Sequence, residues 1–452
     1  MTTRHRPGPQ SQPAGRAAKW LAAVDAGEDR WWQEIAAHGT PLVEAASEGC
    51  VRMTFFWRDP AGDESRSATR QVYIDINCVT DHHSPQPQSL QRLPGTDVWH
   101  WSTEIDEHWR GSYSLIPVEA ARLPPAFSDD DDTRRKQQRA WWISLFPHAI
   151  ADPLNPCAPH FNSRGQALSA AHMPAAPDQS LWHALDAGHP LQPEAENLHT
   201  FTWDSILLGN QRRIWLYTTG MSPAAEDRPL VILLDGQNWV EGQPLFSALQ
   251  AATGSGQLPA ACWLFIDVIN GDWREKELPC NAAFWRAVQE ELLPLARSHA
   301  TFSERGDRTV VAGQSYGGLA AMYAGLHWPE RFGRILSQSG SFWWPNVRLV
   351  THFADAQEHD MGWLTEQAIN GALPDSHLKI FQEAGDREGD MAWVNQQMRK
   401  ALLAAGHDIN FRIFSGGHDA LCWRGGLLDG LRWLLADFNS PQFMAGTGNN
   451  HD

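Results

Sequence analysis

The distribution of hydrophobic and polar positions along this chain changes at about residue 198. Before that point, short segments rich in β-branched and aromatic residues are separated by turn residues, which is typical of antiparallel strands. This part of the chain therefore predicts an antiparallel β-sandwich. The segments that carry the prediction are VRMTFFW (51–57), RQVYIDIN (70–77), DVWHWSTEI (97–105) and GSYSLIPV (111–118).

Beyond residue 198, continuous apolar runs alternate with helical segments such as 282–300. Apolar runs of this kind indicate strands that are buried on both faces, and the intervening helices can cover those faces. We predict a mostly parallel sheet, preceded by an antiparallel pair at 199–209 and 212–220. The apolar runs are PLVILLDG (229–236), CWLFIDVIN (262–270), RTVVAG (308–313), GRILSQSG (333–340), HLKIFQEAG (377–385) and DINFRIFSGGH (408–418).

The length of 452 residues favours two domains rather than one. A stretch rich in Pro, Ala, His and Gln at 145–195 is typical of a long linker. We predict a disordered tail at 1–18, a β-sandwich domain with its linker at 19–195, an α/β domain at 196–438 and a second tail at 439–452.

The formal net charge of −17 argues against a general binder of nucleic acids or anionic membranes. No apolar run reaches the roughly 18 residues that span a bilayer, and the polar first residues lack the apolar middle of a secretory signal. We therefore expect a cytoplasmic protein. Its six cysteines are scattered singly without a CxxC pair, so neither a zinc site nor a disulfide framework is indicated.

The segment Gly313-Gln314-Ser315-Tyr316-Gly317 carries the first candidate chemistry. It matches the GxSxG nucleophile elbow, in which a sharp turn between a strand and a helix exposes a serine hydroxyl. The alternative is a glycine-rich turn with an incidental serine. An apolar run before the motif and a helical segment after it favour a nucleophile.

An elbow serine needs a base, and in such folds the histidine follows the last strand. His418 lies there behind two glycines, although a helix-start or core histidine is the alternative. Asp386, Glu388 and Asp390 follow the preceding apolar run and are candidates for the acid that orients the imidazole. Their positions alone do not choose among them.

Two backbone N–H groups are candidates for the oxyanion hole, in which a tetrahedral intermediate is stabilised. One belongs to Tyr316, directly after the serine, and the other to Gln237, in the loop that follows the apolar run at 229–236. Gly236 lets the backbone turn closely there, and we expect Asp235 to brace the loop.

Several segments together resemble one known family: VVAGQSYGGLAAMYAGLHWPERFG, LSQSGSFWWP, ELPCNAAFW, LLDGQNWV and GGHDALCWRGGL. Residues 198–436 resemble the esterase D-like branch of the α/β-hydrolases and, within it, the enterochelin (enterobactin) esterases. The N-terminal half, with FFWRD and DPLNP, is similar to the immunoglobulin-like domain of that family. The resemblance implies two domains, an N-terminal all-β immunoglobulin-like sandwich and a C-terminal α/β-hydrolase with a doubly wound, mostly parallel sheet.

The resemblance also implies a function. A serine esterase of this family hydrolyses the trilactone of enterobactin-type catecholate siderophores, ferric or iron-free, to N-(2,3-dihydroxybenzoyl)serine units and so releases iron in the cytoplasm. Ser315 is then the nucleophile and His418 the base, and the pattern Glu-Ala-Gly-x-Arg-Glu favours Glu388 over Asp386 as the acid. No cofactor or protein-bound metal is expected, because iron arrives with the substrate. The expected partner is this small molecule, with no nucleic acid and no membrane, and the protein is expected to be a monomer or homodimer.

A ferric tris-catecholate carries negative charge and flat rings, so it needs basic and aromatic side chains near the carboxyl ends of the strands. For each arginine the alternative is a surface salt bridge. The candidate substrate-binding residues are Trp273, Arg274, Trp343, Arg387 and Arg424.

Two other functions stay open on the sequence. One is a general carboxylesterase, of the feruloyl or S-formylglutathione type, that uses the same residues. The other is a non-catalytic catecholate-binding protein with a vestigial hydrolase site.

Overall fold

The structure is a computed structural model that describes residues 10–438, apart from 82, 83, 85, 163, 164, 191, 192, 194, 195, 222, 223, 352–355 and 358. The predicted tail at 439–452 and the first nine residues of the predicted tail at 1–18 lie outside the described residues. A helix already begins at Gly15, within the predicted N-terminal tail.

The N-terminal part of the chain builds an antiparallel ladder with the strand order β1-β2-β5-β4-β3-β6-β8-β7. Its strands are β1 (Leu42–Ala45), β2 (Cys50–Arg58), β3 (Thr69–Ile76), β4 (Ser89–Arg92), β5 (Val98–Asp106), β6 (Arg110–Glu119), β7 (His160–Phe161) and β8 (Ala167–His172). The helices of this part are α1 (Gly15–Leu21), α2 (Asp29–His38), α3 (Asp131–Ser144) and α4 (His183–Asp186).

Alternation along these strands explains the core of the N-terminal unit. Successive side chains of a strand point to opposite faces, so every second residue can be buried in one layer. In β2 these residues are Val51, Met53, Phe55 and Trp57, which share one buried cluster with the corresponding residues of β3, β5 and β6. Strand β4 pairs with both β3 and β5 and so joins the two halves of the ladder.

The described part of the segment predicted as a linker at 145–195 contains strands and a helix that the sequence did not predict. It contains β7, β8 and α4, and β8 pairs with β6 of the ladder. The sequence of β8, ALSAAH, lacks the β-branched and aromatic residues that mark strands, which is why the prediction missed it. Trp182, near the end of the segment, is buried in the core of the C-terminal unit.

The C-terminal unit contains a sheet with the order β16-β15-β14-β13-β11-β12-β10-β9. The six strands from β12 to β16 in this order pair in parallel. At the other end of the sheet, β10 pairs antiparallel with both β12 and β9. The strands are β9 (Leu198–Ser205), β10 (Asn210–Thr219), β11 (Leu230–Leu233), β12 (Ala261–Ile266), β13 (Thr309–Gln314), β14 (Arg334–Gln338), β15 (Lys379–Gly385) and β16 (Asp408–Phe414).

Helices cover both faces of this sheet. They are α5 (Phe246–Gly254), α6 (Gly271–Glu277), α7 (Ala282–Ala287), α8 (Leu293–Arg297), α9 (Tyr316–His327), α10 (Arg348–Thr351), α11 (Trp363–Ile369), α12 (Asp390–Ala404) and α13 (Ala420–Leu434). In β11, Ile232 packs in one cluster with residues of α7 and α9, whereas Val231 and Leu233 pack in another with residues of α5 and α13. The continuous apolar runs in the sequence follow from this double burial.

Parallel pairing brings the carboxyl ends of β11, β13, β14, β15 and β16 to one edge of the sheet. The loops that begin there carry the residues that the sequence singled out. None of the helices among the described residues is long and apolar enough to cross a membrane.

Candidate active site

The backbone turns sharply at Ser315, between strand β13 and helix α9. This serine has φ 59° and ψ −121°, a conformation that side-chain-bearing residues adopt only under strain. A Cβ at Gly313 would lie 2.3 Å from the carbonyl carbon of Gly317, so the turn leaves no room for a side chain there. The turn therefore requires the glycine at 313, as the elbow interpretation predicts.

The loop after β14 holds the serine in place. The Ser315 N–H donates to the carbonyl oxygen of Gln338 at 3.0 Å, and the Ser341 N–H donates to the carbonyl oxygen of Ser315 at 3.0 Å. The hydroxyl oxygens of Ser315 and Ser341 are 3.4 Å apart. Ser315 is half-buried and directly follows the end of β13, so the residue lies at the carboxyl edge of the sheet.

Glu388 and His418 form a pair at the ends of the two neighbouring strands β15 and β16. The carboxylate Oε2 of Glu388 is 3.3 Å from Nδ1 of His418. Its other oxygen accepts hydrogen bonds from the Ser339 hydroxyl at 2.6 Å and from the Gly385 N–H at 3.2 Å. Because the carboxylate occupies Nδ1, Nε2 is the ring nitrogen that can receive a proton from a substrate or a hydroxyl group.

The imidazole has further support from Trp423. The two ring centroids are 4.6 Å apart in an edge-to-face arrangement, and the indole N–H donates to the Ser339 hydroxyl at 2.9 Å. Ser339 thus links the Trp423 indole to the Glu388 carboxylate. Ser339, Ser341 and Trp423 were not predicted, although Ser339 lies near the end of the apolar run at 333–340 and Ser341 directly follows that run.

The other two acidic candidates have different surroundings. The Asp386 carboxylate accepts a hydrogen bond from the Gly416 N–H at 3.0 Å and so contacts the loop before His418. Asp390 is the first residue of α12, and burial raises the pKa of its carboxyl to about 6, with the nearby Glu388 charge adding to the rise. Of the three carboxylates, the one that meets the imidazole is that of Glu388.

The two candidate oxyanion donors lie at the ends of adjacent strands, since β11 pairs directly with β13. Tyr316 begins helix α9, so its N–H has no acceptor within the helix. Gln237 follows the tight turn at Gly236, where a Cβ would lie 2.6 Å from the Ile266 nitrogen. The Asn238 N–H donates to the carbonyl oxygen of Asp235 at 2.9 Å and so closes a turn that contains Gly236, and strand β12 leaves no room there for a side chain.

Arg274 lies beside the elbow but is already paired. Its guanidinium binds both oxygens of the Asp235 carboxylate, at 2.6 and 2.8 Å, and also reaches the carbonyl oxygen of Gln314 at 3.3 Å. It is 5.6 Å from the ring centroid of Tyr316, and the Trp343 ring is also 5.6 Å from that of Tyr316. Asp235 thus braces the loop, and Arg274, Tyr316 and Trp343 form a cationic and aromatic group.

Trp273 and Arg387 lie on short helical segments that follow the carboxyl ends of β12 and β15. Trp273 is half-buried on α6, with the Lys276 ammonium 4.5 Å from its ring centroid. Arg387 is also half-buried, and its N–H donates to the carbonyl oxygen of Gly416 at 3.1 Å.

Arg424, which was predicted to bind substrate, is buried away from the sheet edge in the structure. Its side chain is 1% exposed and forms a bidentate ion pair with Asp186, at 2.7 and 2.6 Å. Its Nε donates to Gln179 at 2.7 Å. Arg424 lies close to His418 in the sequence, but helix α13 turns its side chain inward.

Comparison with known proteins gives similarities over most of the chain. A family model described as "Enterochelin esterase, N-terminal" matches residues 52–182, and one described as "Putative esterase" matches residues 207–434. The chain is 61% identical over 434 residues to the iron(III) enterobactin esterase of Dickeya dadantii, covering 96% of this chain and 99% of that protein.

Solved structures give the same result. The crystal structure of ferric enterobactin esterase from Salmonella typhimurium is 45% identical, with a TM-score of 0.81, and the match covers 91% of this chain and 100% of that one. The enterobactin esterase FES from Shigella flexneri, crystallised in the presence of enterobactin, is 44% identical with a TM-score of 0.76, covering 92% of this chain and 100% of that one. These matches confirm the resemblance that the sequence motifs indicated, including a β-rich N-terminal domain and a C-terminal esterase domain.

Proposed function

The chain belongs to the family of iron(III) enterobactin esterases, and from this premise we propose that it is a serine esterase that opens the trilactone of enterobactin. Its products are N-(2,3-dihydroxybenzoyl)serine units, and iron bound by the catecholates enters as part of the substrate. The observation that carries the proposal is the strained Ser315 elbow at the same sheet edge as the Glu388–His418 pair.

We propose that Ser315 is the nucleophile and His418 the general base. Nε2 of His418 takes the hydroxyl proton while Oγ forms a bond to the ester carbonyl carbon. The carbonyl oxygen becomes an oxyanion, for which the N–H groups of Tyr316 and Gln237 are the proposed donors. The serine alcohol of the substrate then leaves with the proton from His418, and an acyl-enzyme ester remains.

Water completes the reaction. His418 takes a proton from a water molecule while the water oxygen attacks the acyl carbon. The same proton passes to Ser315 Oγ when the bond between Oγ and the acyl carbon breaks. The product carries a free carboxyl group, and the enzyme regains its hydroxyl. One such cycle cleaves one ester bond, so three cycles convert the trilactone into three separate units.

The proposed acid is Glu388, because its carboxylate orients the imidazole through Nδ1 and stabilises the positive charge that forms on the ring. The Ser339 hydroxyl and the Gly385 N–H hold that carboxylate in turn. Serine, histidine, carboxylate and backbone N–H groups supply every step, so we propose that no cofactor is required.

For substrate binding we propose Trp273, Arg274, Trp343 and Arg387, which surround the elbow and the acid loop. The net charge of −17 makes a local positive group necessary for an anionic catecholate complex. Asp235 already balances the charge of Arg274, so we do not assign the whole electrostatic attraction for an anionic substrate to this arginine. We propose that Arg274 also positions the ring of Tyr316. Aromatic faces at Trp343 and Tyr316 suit stacking on catechol rings.

At the level of the whole chain we propose an immunoglobulin-like sandwich for the N-terminal domain and an α/β-hydrolase fold for the C-terminal domain. The antiparallel ladder supports the first, and the elbow on a parallel sheet covered by helices supports the second. We place the domain boundary at 195/196, between the two matched family models, with 19–195 and 196–438 as the domains. We also propose a monomer or homodimer that acts in the cytoplasm, a location that suits its six unpaired cysteines.

Substitution of the proposed residues tests the mechanism. We expect Ser315→Ala to abolish hydrolysis of ferric and iron-free enterobactin, measured by chromatography of the products. The variant should also lose labelling by a fluorophosphonate probe, and its circular dichroism spectrum should be unchanged. Glu388→Gln should lower kcat by about 10²- to 10⁴-fold, because the ring loses its orienting carboxylate. Asp386→Asn is the matched control and should lower kcat far less.

Three results would contradict the proposal. Turnover of enterobactin by Ser315→Ala at the wild-type rate would remove the nucleophile assignment. A preference of the wild-type enzyme for small p-nitrophenyl or feruloyl esters, with negligible activity on enterobactin, would instead favour a general carboxylesterase. Failure of the wild-type enzyme to react with the probe would favour a binding protein.

A further inference from the structure

The loop that carries His418 is held by the N-terminal unit. Asn77 directly follows strand β3, and its side-chain Nδ2 donates to the carbonyl oxygen of His418 at 3.1 Å. The Asn77 N–H donates to the carbonyl oxygen of Ser112 on β6 at 3.1 Å, so the position of Asn77 is itself fixed by the ladder. The partners are 341 positions apart in the chain.

The next residue, Asp419, is bound by the same unit. Its carboxylate caps helix α13 by accepting from the Leu421 N–H at 2.9 Å. It also accepts from both the N–H of Ser112, at 2.5 Å, and the Ser112 hydroxyl, at 2.9 Å. Asp419 is 6% and Ser112 3% exposed, so these charge-assisted hydrogen bonds are shielded from water.

The approach of the two units leaves no spare room around the loop. A Cβ at Gly417 would lie 2.4 Å from Oδ1 of Asn77 and 2.6 Å from Cβ of Cys78. On the other side, the Arg110 N–H donates to the carbonyl oxygen of Ser415 at 3.3 Å. The segment from Ser415 to Asp419 is therefore in contact with β6 and with the end of β3 along its length.

The C-terminal unit restrains this loop at a different place. Asp386 and Arg387 both bind the backbone of Gly416, two residues before the histidine. The carbonyl group of His418 and the carboxylate of Asp419 instead take the bonds from Asn77 and Ser112 described above. The backbone between His418 and Asp419 is thus held by residues of the N-terminal unit.

We propose that Asn77 and Ser112 are positioning residues, through which the N-terminal domain orients the His418 imidazole between Glu388 and Ser315. This inference rests on the proposed function, since it assigns a role to the N-terminal domain in that same reaction. A displacement of about 1 Å in a group that acts in the chemistry can lower a rate by about 10²-fold. The N-terminal domain then contributes to kcat for every ester, whatever its size.

The test compares two asparagines of the N-terminal unit. Asn77→Ala removes the bond to the His418 carbonyl, whereas Asn155→Ala removes Nδ2 bonds to Thr40, Tyr113 and Ala170 that lie inside the unit. Both residues are half-buried, so the pair separates a loss of stability from a loss of positioning. Substrates are p-nitrophenyl acetate and ferric enterobactin, assayed well below the midpoint of thermal unfolding.

We expect Asn77→Ala to lower kcat by about 10- to 100-fold on both substrates, with KM within about twofold of wild type. The rate of fluorophosphonate labelling at Ser315 should fall by the same factor. Asn155→Ala should keep the wild-type kcat and labelling rate while its unfolding temperature falls. If Asn77→Ala does not fold, Ser112→Ala decides the question, because it removes the hydroxyl donor to Asp419 and keeps the backbone donor.

Equal kcat values for Asn77→Ala and Asn155→Ala would overturn the inference, and so would a rise in KM on ferric enterobactin alone, which indicates a direct substrate contact. Ser315→Ala is assayed in parallel. An active Ser315→Ala contradicts the proposed function itself, whereas an inactive Ser315→Ala with normal Asn77→Ala kinetics contradicts only the positioning role.

Discussion

Three carboxylates follow strand β15 within five positions, and their surroundings give each a separate role. Glu388 is 6% exposed and meets the His418 ring, whereas Asp386 is exposed and contacts the Gly416 backbone. Asp390 begins helix α12 in a largely buried position. Asp390 takes no part in the proposed proton transfers, so the effect of its ionisation can be measured in the free energy of unfolding.

We predict that Asp390 makes the protein less stable as pH rises from about 4 to about 7. Burial raises the pKa of this carboxyl from 3.8 to about 6, so the folded state binds its proton more tightly than the unfolded state does. The favourable contribution is complete below the unfolded pKa and is lost as pH rises through about 6. Asp390→Asn removes this dependence.

Urea denaturation at pH 4 and pH 7.5 checks this prediction. The free energy of unfolding of Asp390→Asn minus that of wild type should be about 1–3 kcal/mol higher at pH 7.5 than at pH 4. The comparison between the two proteins cancels the other titrating groups. The same difference at both pH values would show that Asp390 is not perturbed by folding.

Residue order along the chain was enough to predict Ser315 and His418, because the elbow motif and the position after the last strand are visible in a sequence. The positions of Asp386 and Glu388 did not choose between them, and only the family pattern favoured Glu388. A short helical turn over Asp386–Glu388 points the Glu388 side chain inward and leaves Asp386 exposed, which an apolar pattern does not reveal. The same limit applies to Arg424, whose burial the sequence did not indicate. Proximity in sequence to His418 did not reveal which way helix α13 turns its side chains.

At the scale of elements, the contact of helix α13 with the sheet depends on glycine. A Cβ at Gly430 would lie 2.6 Å from Cδ1 of Phe381 and 2.7 Å from Cδ1 of Leu336, both of which are buried. Gly254, at the end of α5, is a matched control because a Cβ there would have no neighbour within 4 Å.

We expect Gly430→Ala and Gly254→Ala to change stability in opposite directions. The first overpacks the interface between α13 and the sheet and should lower the free energy of unfolding by about 1–3 kcal/mol. The second should raise it by about 0.5–1 kcal/mol, because alanine loses less backbone entropy in a helix. Urea midpoints measure both, and equal stabilisation by the two changes would mean that α13 does not need the close approach.

Strands were predictable wherever the hydrophobic pattern was strong. The prediction at 51–57 corresponds to β2 (Cys50–Arg58), and that at 308–313 corresponds to β13 (Thr309–Gln314). The short strand β8 was missed because its small residues lack such a pattern, and its place is set by pairing with β6. Tertiary contacts thus decide the elements for which local sequence gives a weak preference.

At the scale of the whole molecule, the two units are joined by polar groups that sequence analysis cannot pair. The Arg424–Asp186 ion pair connects residues 238 positions apart, and Gln179 donates to the carbonyl oxygen of Leu421 at 3.0 Å. The guanidinium is also 5.2 Å from the ring centroid of Trp182. The segment from Gln179 to Asp186 is thereby fixed on helix α13, which also carries the cap at Asp419 beside the histidine.

The final prediction concerns this ion pair, which we expect to stabilise the junction cooperatively. Arg424→Met leaves the Asp186 carboxylate without its bidentate partner, and Asp186→Asn leaves a guanidinium that is 1% exposed without a counter-charge. Each change should lower the free energy of unfolding by about 2–4 kcal/mol, because an unpaired buried charge is costly. The double variant should lose about 1–3 kcal/mol less than the sum of the two single losses, since the second change removes a charge that is already unpaired.

Urea denaturation of the wild type, the two single variants and the double variant measures this coupling energy. The ion pair Arg286–Glu290, whose side chains are 58% and 57% exposed, is the control and should show a coupling energy of less than about 0.5 kcal/mol. Strict additivity at Arg424 and Asp186 would mean that hydrophobic contacts such as that of Trp182, and not this ion pair, hold the linker against the esterase domain.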